Sequence, residues 1–331
     1  MKVAVFSTKP YDKPALIACN DCLDRPHELK WIGCQLSEST AVLATGCEAV
    51  CVFVNDHMGA DVLNILSDLG IRHAVLRCAG FDRVDLEAAR SLGLTVARVP
   101  AYSPHSVAEH AITLLLAVDR KIPKAYIRCR EHNFELDGLM ARELHGRTLG
   151  IVGTGKIGQL VAQIAHGFGM TIIGFDVYQN DEFKRFGSYK ALDEVLADAD
   201  FVSLHVPLLE STKNMINAAS LAKMKQGAVL INTSRGGLVN TYDVVQALKK
   251  KTLGGLGIDV YDQEHNIGYF EDTKNEIMQD DVFGRLMSFP NVVVTAHQAW
   301  FSEPALYEIA ATTMHNLQRA ALGEENPNSV L

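Results

Sequence analysis

From Thr148 to Thr295 the chain alternates six short apolar, β-branched runs with helical stretches, and the first run leads directly into Gly153-x-Gly155-x-x-Gly158. Strands that alternate with helices pair side by side in a parallel sheet with both faces covered, because each crossover helix must lie on a face. The strands are expected at Leu149 to Val152, Thr171 to Phe175, Phe201 to His205, Ala228 to Asn232, Gly255 to Val260 and Val292 to Thr295. Helices are expected at Lys156 to Phe168, Leu192 to Leu196, Ser220 to Met224 and Tyr242 to Lys249. Six strands with crossovers complete one doubly wound sheet.

The first hundred residues repeat the pattern on a smaller scale. Val3 to Ser7, Val50 to Asn55, His73 to Leu76 and Leu94 to Val99 read as strands, and Glu38 to Ala44, Asp61 to Leu69 and Asp85 to Leu92 as helices. Pro100 and Pro104 then break the pattern, and Ser106-x-x-Glu109 resembles a capping box that opens a long helix with Val107, Ala111, Leu114, Leu115 and Val118 on one stripe. This first sheet lacks a closing helix, which Glu303 to Leu322 can supply. The expected class is therefore α/β, with two doubly wound parallel-sheet domains and a cleft between them. A flavodoxin-like, discontinuous domain takes residues 1–101 and 299–331, and a Rossmann domain takes 102–298. The stretch from Asp262 to Pro290 is acidic and irregular, the mark of a packed or functional loop in a compact domain.

With 331 residues and 48% hydrophobic content, two cores of ordinary size are affordable. A net charge of -8 without a compensating basic run argues against nucleic acid as a partner. The apolar run Leu114 to Val118 is far short of the ~20 residues of a membrane span, and MKVAVFSTKP reads as a strand, not as a signal peptide, so the expected location is the cytoplasm. Cys19, Cys22, Cys34, Cys47, Cys51, Cys78 and Cys129 are odd in number and scattered, which favours reduced thiols. Cys19-x-x-Cys22 has no second pair at metal spacing and its flanks read as loop, so no metal site is expected.

The glycine motif lies between a strand and a helix, the context in which it binds a dinucleotide. Gly153 permits the tight turn, Gly155 lets the backbone near a pyrophosphate, and Gly158 allows close packing of helix on strand, while the helix-end amides, from Lys156 and Ile157 onward, face the diphosphate. Asp176 follows the next strand roughly 20 residues on, where a carboxylate accepts from both adenosine ribose hydroxyls and repels a 2'-phosphate. NAD is thus favoured over NADP. His205, Val206 and Pro207 end the third strand and are expected to line the adenosine side.

Three further side chains follow β-branched runs: Arg235, Glu264 and His297. Ligands of open α/β sheets bind outside the carboxyl ends of the strands, so groups at strand exits can converge although they are far apart in sequence. Their types suit the reduction of a 2-oxo acid. A planar fork such as Arg235 grips a carboxylate in bidentate fashion. His297 can donate a proton to the carbonyl oxygen as hydride reaches carbon, and Glu264 beside it would support the imidazolium, orient the ring and select its tautomer.

Together KVAVFSTKPYD, RCAGFDRVD, VPAYSPHSVAEHA, GIVGTGKIG, LHVPL, INTSRGGLVN, GIDVYDQE and TAHQAWF resemble the D-isomer-specific 2-hydroxyacid dehydrogenases, in their NAD-dependent, lactate-directed branch, over nearly the whole chain. The resemblance implies reversible reduction of pyruvate to D-lactate by NADH, with Arg235 as carboxylate anchor and Glu264 with His297 as acid/base dyad. It also implies a pyruvate cradle from the backbone of Cys78, Ala79 and Gly80, with Tyr102 at the substrate, Thr233 and Ser234 flanking the cofactor, and Asp259 either near the nicotinamide or anchoring a loop. Two departures stand out: His265 follows Glu264 where many members have Pro, and Trp300 replaces the branch's usual Phe or Tyr, either reshaping the side-chain pocket or packing in the core. Rival readings are a dehydrogenase for bulkier 2-oxo acids and an NAD(H)-sensing, corepressor-like protein on the same fold. A phosphoglycerate dehydrogenase is disfavoured, since the chain ends soon after the closing helix. The resemblance further implies a homodimer or homotetramer, in which the stripe of the helix after Pro104 either pairs with its copy across a two-fold axis or is buried within its own chain.

Overall fold

The computed structural model describes residues 1–264 and 266–331, and the chain divides into two compact units, Met1–Ser103 with Phe301–Leu331, and Pro104–Trp300. In chain order the first unit holds β1 (Lys2–Val5), α1 (Asp12–Asp21), β2 (Glu28–Trp31), a 3-10 turn (Ala41–Ala44), β3 (Ala49–Val52), α2 (Ala60–Asp68), β4 (His73–Leu76), α3 (Leu86–Ser91) and β5 (Thr95–Ala97). The second holds α4 (Pro104–Asp119), α5 (Ile122–Arg130), β6 (Thr148–Val152), α6 (Lys156–Gly167), β7 (Thr171–Phe175), α7 (Asp181–Lys184), β8 (Gly187–Tyr189), α8 (Leu192–Asp198) and β9 (Phe201–Leu204). It continues through α9 (Ala218–Lys223), β10 (Ala228–Asn232), a 3-10 turn (Gly236–Leu238), α10 (Thr241–Lys249), β11 (Leu253–Ile258), α11 (Asp281–Met287) and β12 (Val292–Val294), after which α12 (Glu303–Leu322) returns to the first unit.

The first unit's sheet runs β2-β1-β3-β4-β5, all parallel. Its central strands are apolar on both faces because both are covered. Ala4, Val50 and Ala74 pack with α2 residues Val62, Leu63 and Leu66, while Val3, Val5 and Cys51 pack with Leu16 of α1 and Ala310, Met314 and Leu317 of α12. The closing helix is thus supplied by the distant C-terminal segment.

The sequence reading missed two elements here. α1 was hidden by Pro14, which is harmless in a first turn because the N–H it lacks has no helical partner there. β2 is an edge strand whose residues are alternately exposed and half-buried, without a run of core side chains. Cys19 and Cys22 consequently lie on helix and helix end, where a loop was expected. The helix expected over Glu38 to Ala44 shrinks to the 3-10 turn.

The second unit's sheet has order β12-β11-β10-β9-β6-β7-β8, again parallel throughout, so the direction of winding reverses between β6 and β9. It has a seventh strand, β8, a polar three-residue edge with nothing in its sequence to announce it. The long helix α4 begins at Pro104, and Ser106 does not cap it; its hydroxyl donates to the Ala299 carbonyl at 2.8 Å. Proline fits a first turn because its missing N–H would be unpaired there anyway. Of the expected stripe, Ala111, Leu114, Leu115 and Val118 are buried within the unit with Val229 and Ile231 of β10 and Val161 of α6, and Val107 is buried too, so of the two readings of this face, subunit pairing or burial within the chain, the packing matches the second. The acidic segment before Pro290 contains α11 and a small aromatic core of Tyr261, Ile267, Tyr269 and Phe283. Among the described residues no helix is long and apolar enough to cross a membrane.

Candidate active site

The turn after β6 is built around close approaches. Gly153 has φ +95°, and a Cβ on Gly158 would stand 2.0 Å from the Gly153 carbonyl oxygen, so any larger residue at 158 would force helix and strand apart. Asn or Asp side chains cap α9, α10 and α11, each such cap contributing about 1 kcal/mol. At the start of α6, by contrast, Gly155 makes no cap and a Cβ there would have nothing within 4 Å. The first-turn amides, at the exposed Lys156 and half-buried Ile157, are left to a ligand, and the aligned peptide dipoles favour an anion.

Two further observations fit a dinucleotide at this edge. At the carboxyl exits of β10 and β9 lie two buried polar atoms without a hydrogen-bond partner among the described residues, Thr233 Oγ1 and His205 Nδ1. Such orphans cost about 1–3 kcal/mol each unless something satisfies them. His205 is tied at Nε2 to Ser203 Oγ at 2.8 Å, and burial pushes its imidazole down to about 4, so the ring is neutral at neutral pH. Val206 and Pro207 continue from it, half-buried and exposed, and Ser234 donates to the Leu204 carbonyl at 2.8 Å, pinning the β10 exit to the β9 exit.

Asp176 sits at the exit of β7, where its Oδ2 accepts from the Thr154 amide at 2.6 Å and hydroxyl at 3.2 Å, and its Oδ1 from the Tyr178 amide at 3.0 Å. Three of the roughly four lone-pair sites of a carboxylate are then occupied. It has capacity for about one ribose hydroxyl where two were expected, and it doubles as a brace for the glycine turn.

β10, β11 and β12 are neighbours in register, with Asn232 beside Ile258 and Ile258 beside Val294, so their exits lie side by side. Asn232, fully buried, shapes the first exit. It accepts from the Ser234 amide at 3.0 Å and donates to the Arg235 carbonyl at 2.8 Å, while Arg235 Nη1 donates to the Ser234 carbonyl at 2.9 Å. A Cβ on Gly236 would lie 2.1 Å from the Tyr261 carbonyl carbon, so only glycine lets the Arg235 loop touch the segment leading to Glu264.

Glu264 and His297 meet. Glu264 Oε2 stands 2.8 Å from His297 Nδ1, and its Oε1 accepts from the Tyr261 amide at 3.0 Å. A carboxylate only accepts, so Nδ1 carries the hydrogen and Nε2 is the nitrogen left for chemistry. Both side chains are mostly buried, and the Phe270 ring lies 5.9 Å from the imidazole.

His297 itself has φ +52°, the left-handed region that side chains seldom occupy, and its amide donates to the Asp259 carbonyl at 2.7 Å. Asp259 is 0% exposed and its carboxylate accepts from Thr295 Oγ1 and from the amides of Gln298 and Ala299 at 2.9 and 2.8 Å. Burial pushes its carboxyl up, but these bonds together with His110 outweigh that and hold it below the ordinary value. These contacts tie Asp259 to the turn that carries His297.

Trp300, buried, donates its indole N–H to the His297 carbonyl at 2.8 Å. Cys78, Ala79, Gly80 and Tyr102 lie in the first unit. The first three follow the carboxyl end of β4, where Cys78 Sγ reaches the Gly80 carbonyl at 3.2 Å and the Ala79 carbonyl accepts from Arg98 at 2.6 Å; Tyr102 is half-buried. His265 lies outside the described residues. No group of metal-ligating side chains stands together among the described residues. Sequence reasoning missed Asn232, Thr295, His110 and Thr154, whose types are commonplace and whose partners come from distant segments.

Residues 112–299 match the family model described as D-isomer specific 2-hydroxyacid dehydrogenase, NAD binding domain. The chain is 47% identical to a D-lactate dehydrogenase of Curvularia clavata, over all of this chain and 95% of that one. Among solved structures it is similar to the apo-structure of D-lactate dehydrogenase from Escherichia coli, with TM-score 0.91, 42% identity and full coverage of both chains. It is also similar to the NAD complexed form of a D-isomer specific 2-hydroxyacid dehydrogenase from Lactobacillus delbrueckii ssp. bulgaricus, with TM-score 0.81, 32% identity and full coverage of both.

Proposed function

The chain belongs to the D-isomer-specific 2-hydroxyacid dehydrogenases, and from that premise we propose that it is an NAD-dependent D-lactate dehydrogenase, reducing pyruvate reversibly. The observation that carries this reading is the Glu264–His297 pair, held at 2.8 Å after β11 and β12, in the same row of strand exits as the β10 exit that bears Arg235. When bound, held by the glycine turn before α6 and by the β9 and β10 exits, NADH would supply the hydride for the carbonyl carbon. Arg235 orients the substrate by its carboxylate with a two-pronged grip. His297 Nε2 gives its proton to the carbonyl oxygen as the π bond opens, leaving a hydroxyl and a neutral ring, and Glu264 supports the cation before that transfer. In the reverse direction the neutral ring takes the hydroxyl proton. We assign cofactor binding to residues 102–298 and the substrate-domain role to 1–101 with 299–331.

The test is NADH oxidation with pyruvate followed by chiral analysis of the product. D-lactate as the main product supports the reading. A strong preference for branched 2-oxo acids would reassign the substrate to bulkier compounds, and tight NADH binding without turnover of any 2-oxo acid would favour a sensor.

We also propose a homo-oligomer, dimer or tetramer, assembled through α5 and the segment after it rather than through α4. Ile122, Tyr126, Ile127, Phe134, Leu136 and Met140 are each more than half exposed within this one stretch, an apolar concentration that a second copy would cover. Ile127→Glu with Leu136→Glu should lower the sedimenting mass; an unchanged assembly would move the interface elsewhere. We also propose a cytoplasmic location, supported by the odd number and scattered positions of the seven cysteines.

A further inference from the structure

We propose that His110, acting through Thr295, is a positioning residue for His297, an assignment that rests on the acid/base role given to His297 above. His110 Nε2 and Thr295 Oγ1 share a hydrogen bond at 3.0 Å, and His110 Nε2 stands 3.5 Å from Asp259 Oδ1. The Thr295 hydroxyl has one proton and gives it to Asp259, so it must accept from His110. The direction is thereby fixed: His110 N–H to Thr295 O–H to the Asp259 carboxylate.

That carboxylate is the hub of the turn. It accepts from the amides of Gln298 and Ala299, the two residues after His297, while the carbonyl of the same residue accepts the His297 amide. An ion so completely buried is tolerable only while its acceptor sites are filled. A left-handed residue other than glycine is strained and persists only where its surroundings impose it. If the outer donors are lost, the cheapest response is for the turn to relax, and His297 moves with it. A misplacement of about 1 Å at a reacting group can cost 10²-fold in rate.

His110 projects from α4, whose neighbouring Val107, Ala108, Ala111 and Leu114 are buried, so it has a rigid mount. Core packing at that position needs only an apolar side chain; what the imidazole adds is its N–H.

The experiment compares His110→Leu, His110→Gln, Thr295→Val and the Leu/Val double variant. Leu removes the donor, whereas the Gln amide can place an N–H near the position of Nε2. We expect kcat for pyruvate to fall about tenfold or more in His110→Leu and Thr295→Val, with KM changed less than about twofold because Arg235 is held separately by Asn232. The double variant should be about as poor as the worse single one, since both break one chain, and His110→Gln should recover most of the rate. In the same proteins without substrate, amide exchange at Gln298 and Ala299 should quicken in the Leu and Val variants and stay slow in the Gln variant. Native kcat in His110→Leu, multiplying losses, a Gln variant as poor as Leu, or unaltered exchange would each overturn the assignment. If the unsubstituted chain turns over no 2-oxo acid, the proposed function fails, and the exchange measurement still decides whether His110 holds the turn.

Discussion

The indole of Trp300 donates to the carbonyl of His297 at 2.8 Å, three residues back along the chain. With the Asp259 carbonyl holding the His297 amide, both main-chain polar groups of His297 are fixed. Of the two readings of Trp300, pocket shape or packing, the contact adds a third, a brace. Phe or Tyr at this position would fill similar space without that bond. Trp300→Phe should lower kcat several-fold, roughly in line with one lost hydrogen bond of about 1 kcal/mol. Steady-state kinetics at saturating NADH would show it; a native kcat would reduce the tryptophan to packing.

If His297 is the proton donor proposed above, removing it should affect chemistry and spare cofactor binding. General acid catalysis contributes about 10²–10⁴-fold, so His297→Gln should lose kcat on that scale while NADH binding, titrated by quenching of the protein's own fluorescence, stays near the parent's. Glu264→Gln retains a hydrogen bond to the ring but neither selects the Nδ1–H tautomer nor supplies a charge. An intermediate loss of kcat is expected, and equal activity in Glu264→Gln and the parent would dismiss the dyad.

Arg235→Lys replaces a fork by a point charge. The Michaelis constant for pyruvate should rise on the order of 10–100-fold, a loss of about 1.4–2.8 kcal/mol of carboxylate binding. An unaltered constant would remove Arg235 from that role.

Asp176→Ala should raise NADPH use relative to NADH, because the carboxylate that repels a 2'-phosphate is gone. The structure adds a second effect. The Thr154 amide loses its acceptor, so the glycine turn should loosen and NADH itself should bind less well. The ratio of kcat/KM for the two cofactors separates the effects; an unchanged ratio would place the ribose contact elsewhere.

Burial holds the His205 imidazole at about 4 against 6.5 for an unburied ring. The unfolded chain therefore binds a proton between those values that the folded chain does not, and stability is lost as pH falls from 6.5 towards 4. Between pH 7 and 5 this group should contribute roughly 2 kcal/mol of that loss. His205→Asn should flatten the pH dependence of the urea midpoint over this interval, and an equal slope in both proteins would mean that His205 is not the source.

The alternation of strand and helix, the glycine turn before α6 and the strand-exit positions of Arg235, Glu264 and His297 were legible in the sequence because each depends on local pattern: β-branched runs, a spacing of glycines, and the charged residues that follow a run. The last helix, Glu303–Leu322, was legible as the closing helix that the first sheet lacked. Only the tertiary structure could decide that Asp259 anchors a turn, that Asn232 and Gly236 shape the Arg235 exit, that the α4 stripe is spent inside its own unit, and that His110 reaches Thr295 across 185 positions. Those outcomes hinge on which buried donor finds which acceptor once distant segments are packed together. A hydrogen bond between remote residues leaves no periodicity in the chain, since its cost and benefit arise only when water has been excluded from both ends.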